Sequence, residues 1–172
     1  PPSALYVGKR FVPELAGHGR IGSRRVMKSI FLDLNTIKFC TPDMLNTFRK
    51  EIPLLADYKP DEGVTPTNSQ MFRVYVEKYL TSLPVVNTDL DLIISQLQST
   101  EYGVPIQIYF FSRNKVWKEY ERIQSDIFDH FFAMVPKFQL KVYQYSSKDD
   151  EKTDLIVQIN KIPIGPNRNT QA

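Results

Sequence analysis

Residues 104–112, VPIQIYFFS, and residues 115–135, KVWKEYERIQSDIFDHFFAMV, carry the clearest structural signal in the chain. The first run alternates with the two-residue period of a β-strand, setting Ile106, Ile108 and Phe110 against Gln107, Tyr109 and Phe111. The second repeats apolar side chains at three- and four-residue intervals, as one face of a helix does: Val116, Tyr120, Ile123, Ile127, Phe131 and Met134. Pro136 closes that helix. We therefore predict a strand followed by a long amphipathic helix.

A second strand is predicted upstream, at about 89–98, joined to the first by the short link Ser99–Gly103. A link of this length is typical of a β-hairpin. Pro105 near the start of 104–112 cannot donate a ladder hydrogen bond, so it indicates either a strand beginning or an edge strand.

Two more helices and an opening strand are predicted further upstream. The strand spans about Val26 to Leu34. Thr41-Pro42-Asp43 reads as a helix start: a capping side chain, a residue without an N–H donor, and a carboxylate at the positive end of the dipole. That helix carries Met44, Leu45, Phe48 and Ile52 on its apolar stripe, and Pro53 ends it. After a loop at 53–69, a second helix from about Ser69 to Leu83 carries Phe72, Tyr75, Val76, Tyr79 and Leu83 on one face.

A last strand is predicted at Phe138–Tyr145, where Phe138, Leu140 and Val142 alternate with polar or aromatic neighbours. The element order is then β-α-α-β-β-α-β. This order predicts an α+β fold with helices on one face of a small, mainly antiparallel sheet, the ferredoxin-like or split βαβ arrangement.

The chain has 172 residues, 42% of them apolar, which suits one domain with tails. We expect a lead-in at 1–25, a folded domain at 26–145 and a polar tail at 146–172 with a further strand at 155–159. A strand without a neighbour in its own chain is suited to pairing between subunits. Because Pro1 is not an initiator Met and no signal pattern follows it, we expect the chain to be a piece of a longer protein.

Composition excludes several function classes. A net charge of +3 is too small to imply nucleic-acid binding by itself. The single cysteine, Cys40, excludes an internal disulfide and a multi-cysteine metal site. No apolar run approaches the roughly 18–20 residues needed to cross a bilayer.

A search for catalytic groups leads to the prediction that the chain is not an enzyme and has no catalytic, cofactor-binding or metal site. Gly17–Gly22 lacks the strand-then-helix context of a phosphate loop. His130 and Asp126 could meet on one helix face and orient a base, but a packed face is the simpler interpretation. Cys40 is interpreted as a small buried hydrophobic side chain. The solvated side of the predicted helix accounts for the acidic residues Glu119, Glu121, Asp126 and Asp129.

One cluster of charge is local enough to be of interest, and it consists of Arg20, Arg24, Arg25 and Lys28. It is either a solvated entry to the first strand or an electrostatic element that faces anions, lipid headgroups or permeating ions. An RNA-binding module is a further alternative for a ferredoxin-like sheet, although Tyr109-Phe110-Phe111 lacks the glycine of the usual stacking motif. A stand-alone ligand-sensing domain is the other alternative function for such a fold.

Three stretches resemble the carboxy-terminal cytosolic domain of the small-conductance mechanosensitive channel family, best in its miniconductance branch. The longest begins with Gly103-Val104-Pro105-Ile106-Gln107-Ile108-Tyr109-Phe110-Phe111 and continues through Val116-Trp117, Glu119-Tyr120-Glu121 and Ile123–His130. The others are Gly22–Ile30, similar to that branch's entry "G-G-R-R-I-K-R-S", and Thr67-Asn68 with Phe72-Arg73 and Tyr79-Leu80. The opening Pro1–Leu5 resembles the end of the family's middle β domain. Residues 6–19 lack the Trp-containing loop of that branch, and 146–172 match nothing in it.

The resemblance implies a bacterial channel that opens under membrane tension and releases solutes in hypoosmotic shock. It implies a homo-oligomer, expected to be a heptamer, whose cytosolic domains form a vestibule below a pore in the inner membrane. The chain would be the part on the cytoplasmic side, attached to the membrane through a preceding segment. No cofactor and no nucleic-acid partner are expected.

Overall fold

The structure, a computed structural model, describes residues 22–144. It contains three helices and a three-stranded antiparallel sheet, so the predicted α+β class is confirmed. In chain order the elements are β1 (Arg24–Leu32), α1 (Pro42–Glu51), α2 (Asn68–Ser82), β2 (Ile93–Gln96), β3 (Val104–Ser112) and α3 (Trp117–Met134). Single 3₁₀ turns lie at Leu34–Thr36, Pro53–Leu55 and Val135–Phe138.

The sheet has the strand order β1-β3-β2. β1 pairs with β3 from Arg24 opposite Ser112 to Leu32 opposite Val104. β2 pairs with the other side of β3, and the turn between them is closed by the Thr100–Gly103 bridge, as the hairpin prediction required. β3 is therefore the central strand, and Pro105 marks a strand beginning rather than an edge. β2 is shorter than the predicted 89–98.

The start of α1 follows its predicted cap closely. Thr41 Oγ1 accepts from the N–H of Met44 at 3.2 Å, and Pro42 is the first residue of α1. Thr67 caps α2 in the same way. Val116, by contrast, was wrongly placed in the apolar stripe of α3: it is the N-cap residue and 62% exposed, because the helix begins only at Trp117.

The hydrophobic core lies on one face of the sheet. Val26 and Ile30 of β1 and Ile108 of β3 share that face and are essentially inaccessible to solvent. All three helices pack their apolar stripes against it. Four aromatic side chains meet at its centre, where the Phe138 ring lies 5.2–5.5 Å from the rings of Phe48, Phe72 and Tyr75.

The predicted strand at Phe138–Tyr145 is wrong for the part that the structure describes. Phe138 ends a 3₁₀ turn that contains Pro136, and Gln139 adopts a left-handed conformation with φ of 56°. Beyond that kink only one bridge forms, between Val142 and Leu32 of β1. The alternation that suggested a strand reflects burial instead, since Phe138 and Leu140 both enter the core.

One buried amide ties this carboxy-terminal segment to the rest of the fold. Asn68, the first residue of α2, accepts from the N–H of Lys38 at 2.9 Å and donates to the carbonyl oxygens of Thr36 and Phe138 at 2.9 and 3.1 Å. Its side chain is fully buried. Three segments distant in sequence are therefore joined through one side chain.

None of the helices between residues 22 and 144 is both long and apolar enough to cross a membrane. Most of the predicted lead-in at 1–25, with His18 and Arg20, lies outside the described residues. The same holds for the tail at 146–172 and its predicted strand at 155–159.

Candidate functional site

Three of the four residues in the predicted basic cluster come together in an open cleft between β1 and α3. The cleft measures about 450 Å³ and is lined by Arg24, Arg25, Lys28, Trp117, Tyr120, Glu121 and Gln124. The fourth predicted member, Arg20, lies outside the described residues. Arg24 and Lys28 lie on the face of β1 that meets α3, whereas Arg25 alternates to the other face and contributes its backbone carbonyl, so the two cations exceed the single carboxylate, Glu121, by one charge.

Arg24 is held in one orientation by aromatic rings. Its guanidinium carbon lies 5.0 Å from the centre of the Trp117 ring and 5.4 Å from that of Tyr120. Cation–π attraction of this kind favours Arg over a flat indole. Its Nε also donates to the carbonyl oxygen of Lys115 at 3.0 Å. Among residues 22–144, the terminal nitrogens Nη1 and Nη2 have no hydrogen-bond partner and remain available.

Tyr120 joins the two elements that form the cleft. Its hydroxyl donates to the carbonyl oxygen of Arg25 at 2.7 Å, which fixes the first turn of α3 against β1. Burial raises the pKa of Tyr120 above its usual value, so the hydroxyl stays a donor. Further along the same two elements, Lys28 Nζ of β1 lies 5.5 Å from the centre of the Phe128 ring of α3.

Gln124 forms the floor of the cleft. Only 4% of this residue is exposed, yet its amide makes no hydrogen bond to any other residue between 22 and 144. Its amide nitrogen and oxygen still reach solvent at the cleft, unlike Ser69 Oγ and Arg73 Nε, which are buried without a partner. Water satisfies the amide there, and a ligand that enters the cleft can replace that water.

The other side of the sheet, which we call the open face, carries a row of large side chains. Met27 of β1, Tyr109 of β3 and Ile93 of β2 lie opposite one another in register. Met27 and Ile93 are 53% and 51% exposed. Tyr109 packs edge-on against Phe111 of the same face, with the ring centres 5.5 Å apart. Half-exposed apolar side chains in a continuous row are typical of a contact surface.

A second exposed apolar area lies on the loops that precede α1 and α2. Phe39 is 70% exposed and sits in a bridge with Thr67. Val64, three residues before Thr67, and Leu34 are also exposed. This loop surface belongs to different elements from the open face.

The alternative pairing of His130 with Asp126, which the sequence favours less than a packed face, does not form in the structure. Asp126 binds Arg122 at 2.8 Å, while His130 Nε2 lies 2.5 Å from the hydroxyl oxygen of Tyr75. The His130 ring also stacks on Tyr79, with 4.1 Å between centres. Burial lowers the pKa of His130 and raises that of Tyr75 to about 12. This arrangement supports the interpretation of His130 as a packed side chain between α2 and α3.

The remaining predicted candidates occupy ordinary structural positions. Cys40 is buried, and burial raises the pKa of its thiol, which keeps it protonated and unreactive. Glu119 and Asp126 pair with Arg122 on the exposed side of α3. Within the described part of the chain, no three His, Cys, Asp or Glu side chains converge in a way that would hold a metal ion.

A larger groove of about 770 Å³ lies between the turn at Pro53–Leu55 and α2. Lys78 donates to Asp57 across it at 2.7 Å, and this bond lowers the pKa of the Asp57 carboxyl. Asp57 is largely exposed, so the pair contributes little to stability.

Sequence reasoning found the cations of the cleft but missed its other half. Trp117, Tyr120 and Gln124 were predicted as helix residues without a role beside the arginines. Their spacing of three and four residues places them on one side of α3. Only the packing of α3 on β1 brings that side to the basic cluster.

Comparison of the chain with models of known protein families gives no match.

Proposed function

We propose that this chain is the cytosolic vestibule domain of a bacterial mechanosensitive channel of the miniconductance type. In the intact protein, membrane tension shifts an equilibrium between closed and open states, and this domain biases it through contacts between subunits. The domain forms a wall around the path of the solutes and performs no chemistry on them.

The observation that carries the proposal is the long, irregular resemblance that spans residues 103–130. In the structure this stretch forms β3, the central strand, and the first three-quarters of α3. These two elements supply both the middle of the sheet and the helix that packs on β1. A resemblance confined to a surface loop would say little about the domain, whereas this one covers its framework.

The finer fold assignment, a ferredoxin-like sheet, belongs to the same proposal. β1 and β2 both run antiparallel to the strand between them, as in a split βαβ unit. Val142 bridges the outer edge of β1, and the backbone bonds Asp33 N–H to Lys141 O and Tyr143 N–H to Phe31 O flank it, both at 2.8 Å. A fourth strand at that edge would complete the arrangement.

Two separate apolar surfaces support assembly with copies of the same chain. A closed ring with head-to-tail contacts requires two different, complementary surfaces on each subunit. The open face with Met27 and Ile93, and the loop surface with Phe39 and Val64, are two different exposed apolar surfaces of this kind.

Patch-clamp recording of the full-length parent protein in bacterial membrane tests the proposal. Applied tension should open a pore, and the gene should encode apolar membrane helices ahead of Pro1. Deleting residues 150–172 from the parent should weaken its oligomer in detergent. A parent without apolar helices, or with membrane helices but no tension-dependent current, would refute the assignment.

An RNA-binding module is the second candidate, and one observation favours it. Tyr109 and Phe111 lie on the face of β3 that points away from the core, and Arg25 is opposite Phe111. Aromatic side chains on such a face can stack with bases. Phe111 is only 6% exposed, which argues against it. Salt-dependent binding of single-stranded RNA, abolished by Tyr109→Ala, would favour this candidate over the first.

A further inference from the structure

We propose that the cleft between β1 and α3 binds a phosphate group, with Arg24, Lys28 and the amide of Gln124 as its ligands. The site lies within this chain and does not depend on whether the parent protein is a channel.

The donors of the cleft select the class of ligand. Arg24 and Lys28 share the face of β1 that meets α3, and they stand beside a single carboxylate, Glu121, so the cleft favours an anion with several acceptor oxygens. A phosphate monoester carries about −1.5 to −2 at neutral pH and offers three strong acceptor oxygens. A carboxylate offers only two oxygens and a chloride ion none, so each would leave more of these donors unused.

The orientation of Arg24 supplies the directional part of the recognition. Stacking on Trp117 and Tyr120 and the bond from Nε to the Lys115 carbonyl hold its guanidinium in place before any ligand arrives. The two terminal nitrogens are then the free donors. A planar guanidinium with two free N–H-bearing nitrogens matches two phosphate oxygens at once.

Gln124 supplies a further donor. Only 4% of the residue is exposed, its amide has no partner among the described residues, and the amide atoms reach solvent where the residue lines the cleft. Water satisfies such a group when the cleft is empty, and a phosphate oxygen would replace that water as acceptor of the amide N–H.

The phosphate could come from a soluble ester or from a lipid headgroup, since both offer the same oxygens. The exposed indole of Trp117, 63% accessible at the rim, would contact the organic part of either ligand. We therefore expect phenyl phosphate to bind more tightly than inorganic phosphate.

Tryptophan fluorescence tests the proposal directly, because Trp117 is the only tryptophan in the chain. The full 172-residue chain is titrated at constant ionic strength with inorganic phosphate, with phenyl phosphate and with phosphatidylglycerol vesicles. We expect a saturable change with the two soluble phosphates, and a change with vesicles only if the cleft also accepts headgroups. Proton–nitrogen NMR spectra of the Gln124 side-chain amide provide a second readout.

Two variants and a matched control locate the site. Arg24→Met and Gln124→Leu keep the bulk of the side chains and should weaken phosphate binding by about tenfold and about fivefold. Lys50→Met removes a charge from an exposed position on α1 and should bind like the parent chain. Circular dichroism confirms that each variant is folded.

Three outcomes would overturn the inference: the same spectral change with sodium chloride in place of phosphate, no saturation, or equal affinities for Arg24→Met, Gln124→Leu and Lys50→Met. None of these results bears on tension-gated current in the parent protein. A parent without such current would in turn leave the phosphate site standing.

Discussion

The two faces of the sheet are built from neighbouring residues of the same strands, yet they meet opposite environments. On the core side Ile106, Ile108 and Phe110 are completely buried, whereas on the open face Met27 and Ile93 are about half exposed. Both faces are nevertheless rich in large apolar side chains. The difference teaches that the exposure of an apolar side chain on the open face depends on its strand: Met27 and Ile93 lie on the outer strands β1 and β2, whereas Phe111 of the central strand β3 is only 6% exposed.

This asymmetry distinguishes the domain from a sheet that is solvated on one side. Antiparallel sheets with one wet face usually alternate apolar and polar residues. Here the polar side chains on the open face of the paired strands are the row Ser29, Gln107 and Ser95, with Arg25 near the start of β1. A surface of this composition is stable in isolation only at some cost in solubility, and a partner surface would relieve that cost.

The largest contrast between the faces should appear when Phe110 is truncated. Phe110→Ala leaves a cavity in the core and should lower the free energy of unfolding by about 3–5 kcal/mol. Tyr109→Ala, one residue away on the open face, should cost about 1 kcal/mol. Urea denaturation of both variants measures the difference. Equal losses would mean that the open face is as tightly packed as the core.

The next contrast concerns polar side chains on the two sides. Asn68→Ala removes the amide that joins Lys38, Thr36 and Phe138 and leaves buried backbone groups unpaired, so we expect a loss of about 2–3 kcal/mol. Gln107→Ala on the open face should cost about 0.5 kcal/mol or less. If both substitutions are neutral in thermal denaturation, the Asn68 bonds do not hold the carboxy-terminal segment.

A pH titration should reveal the packing on the helix side. Because burial lowers the pKa of His130 in the folded state below its ordinary 6.5, the unfolded chain binds the proton more readily. The contribution of His130 is therefore fully present above about pH 6.5 and is lost as the pH falls from there through the lowered pKa. In urea, the unfolding midpoint should fall over that interval.

His130→Phe is the control for that titration, because it keeps a ring against Tyr79 and removes the titrating group. Its urea midpoint should change less with pH in the same interval. An identical pH dependence in the parent chain and in His130→Phe would assign the effect to other groups.

The smallest effect on stability is expected on the open face. Met27→Ser and Ile93→Thr should each change the free energy of unfolding of the isolated chain by about 0.5 kcal/mol or less. In the full-length parent the same pair should reduce the oligomer, as measured by light scattering in detergent. An intact oligomer would show that the open face is not a subunit contact.

Local sequence signals predicted most of the fold because each depends only on residues a few positions away. Thr41 and Pro42 defined the start of α1, and the alternation from Val104 defined β3 to within a residue, since caps and strand periodicity depend on local geometry. The same kind of reasoning failed at Phe138, where burial alternated but Pro136 and the left-handed Gln139 prevented a ladder from forming.

The candidate site was only half predictable for a related reason. Arg24, Arg25 and Lys28 form a cluster in the sequence, and that cluster survives in the structure. Gln124 is separated from Lys28 by almost one hundred residues, and no pattern in the sequence marks its amide as unpaired. Its role depends on where α3 crosses β1.

By itself, the sequence determined the class of fold, the cap of α1, the bounds of β3 and the basic cluster, because these arise from periodicity and from contacts between neighbours along the chain. Only the tertiary structure decided which face of β3 is covered, which partner His130 takes and which side of α3 faces the arginines. Those outcomes depend on contacts between segments far apart in sequence, whose geometry is set by the packing of the whole core.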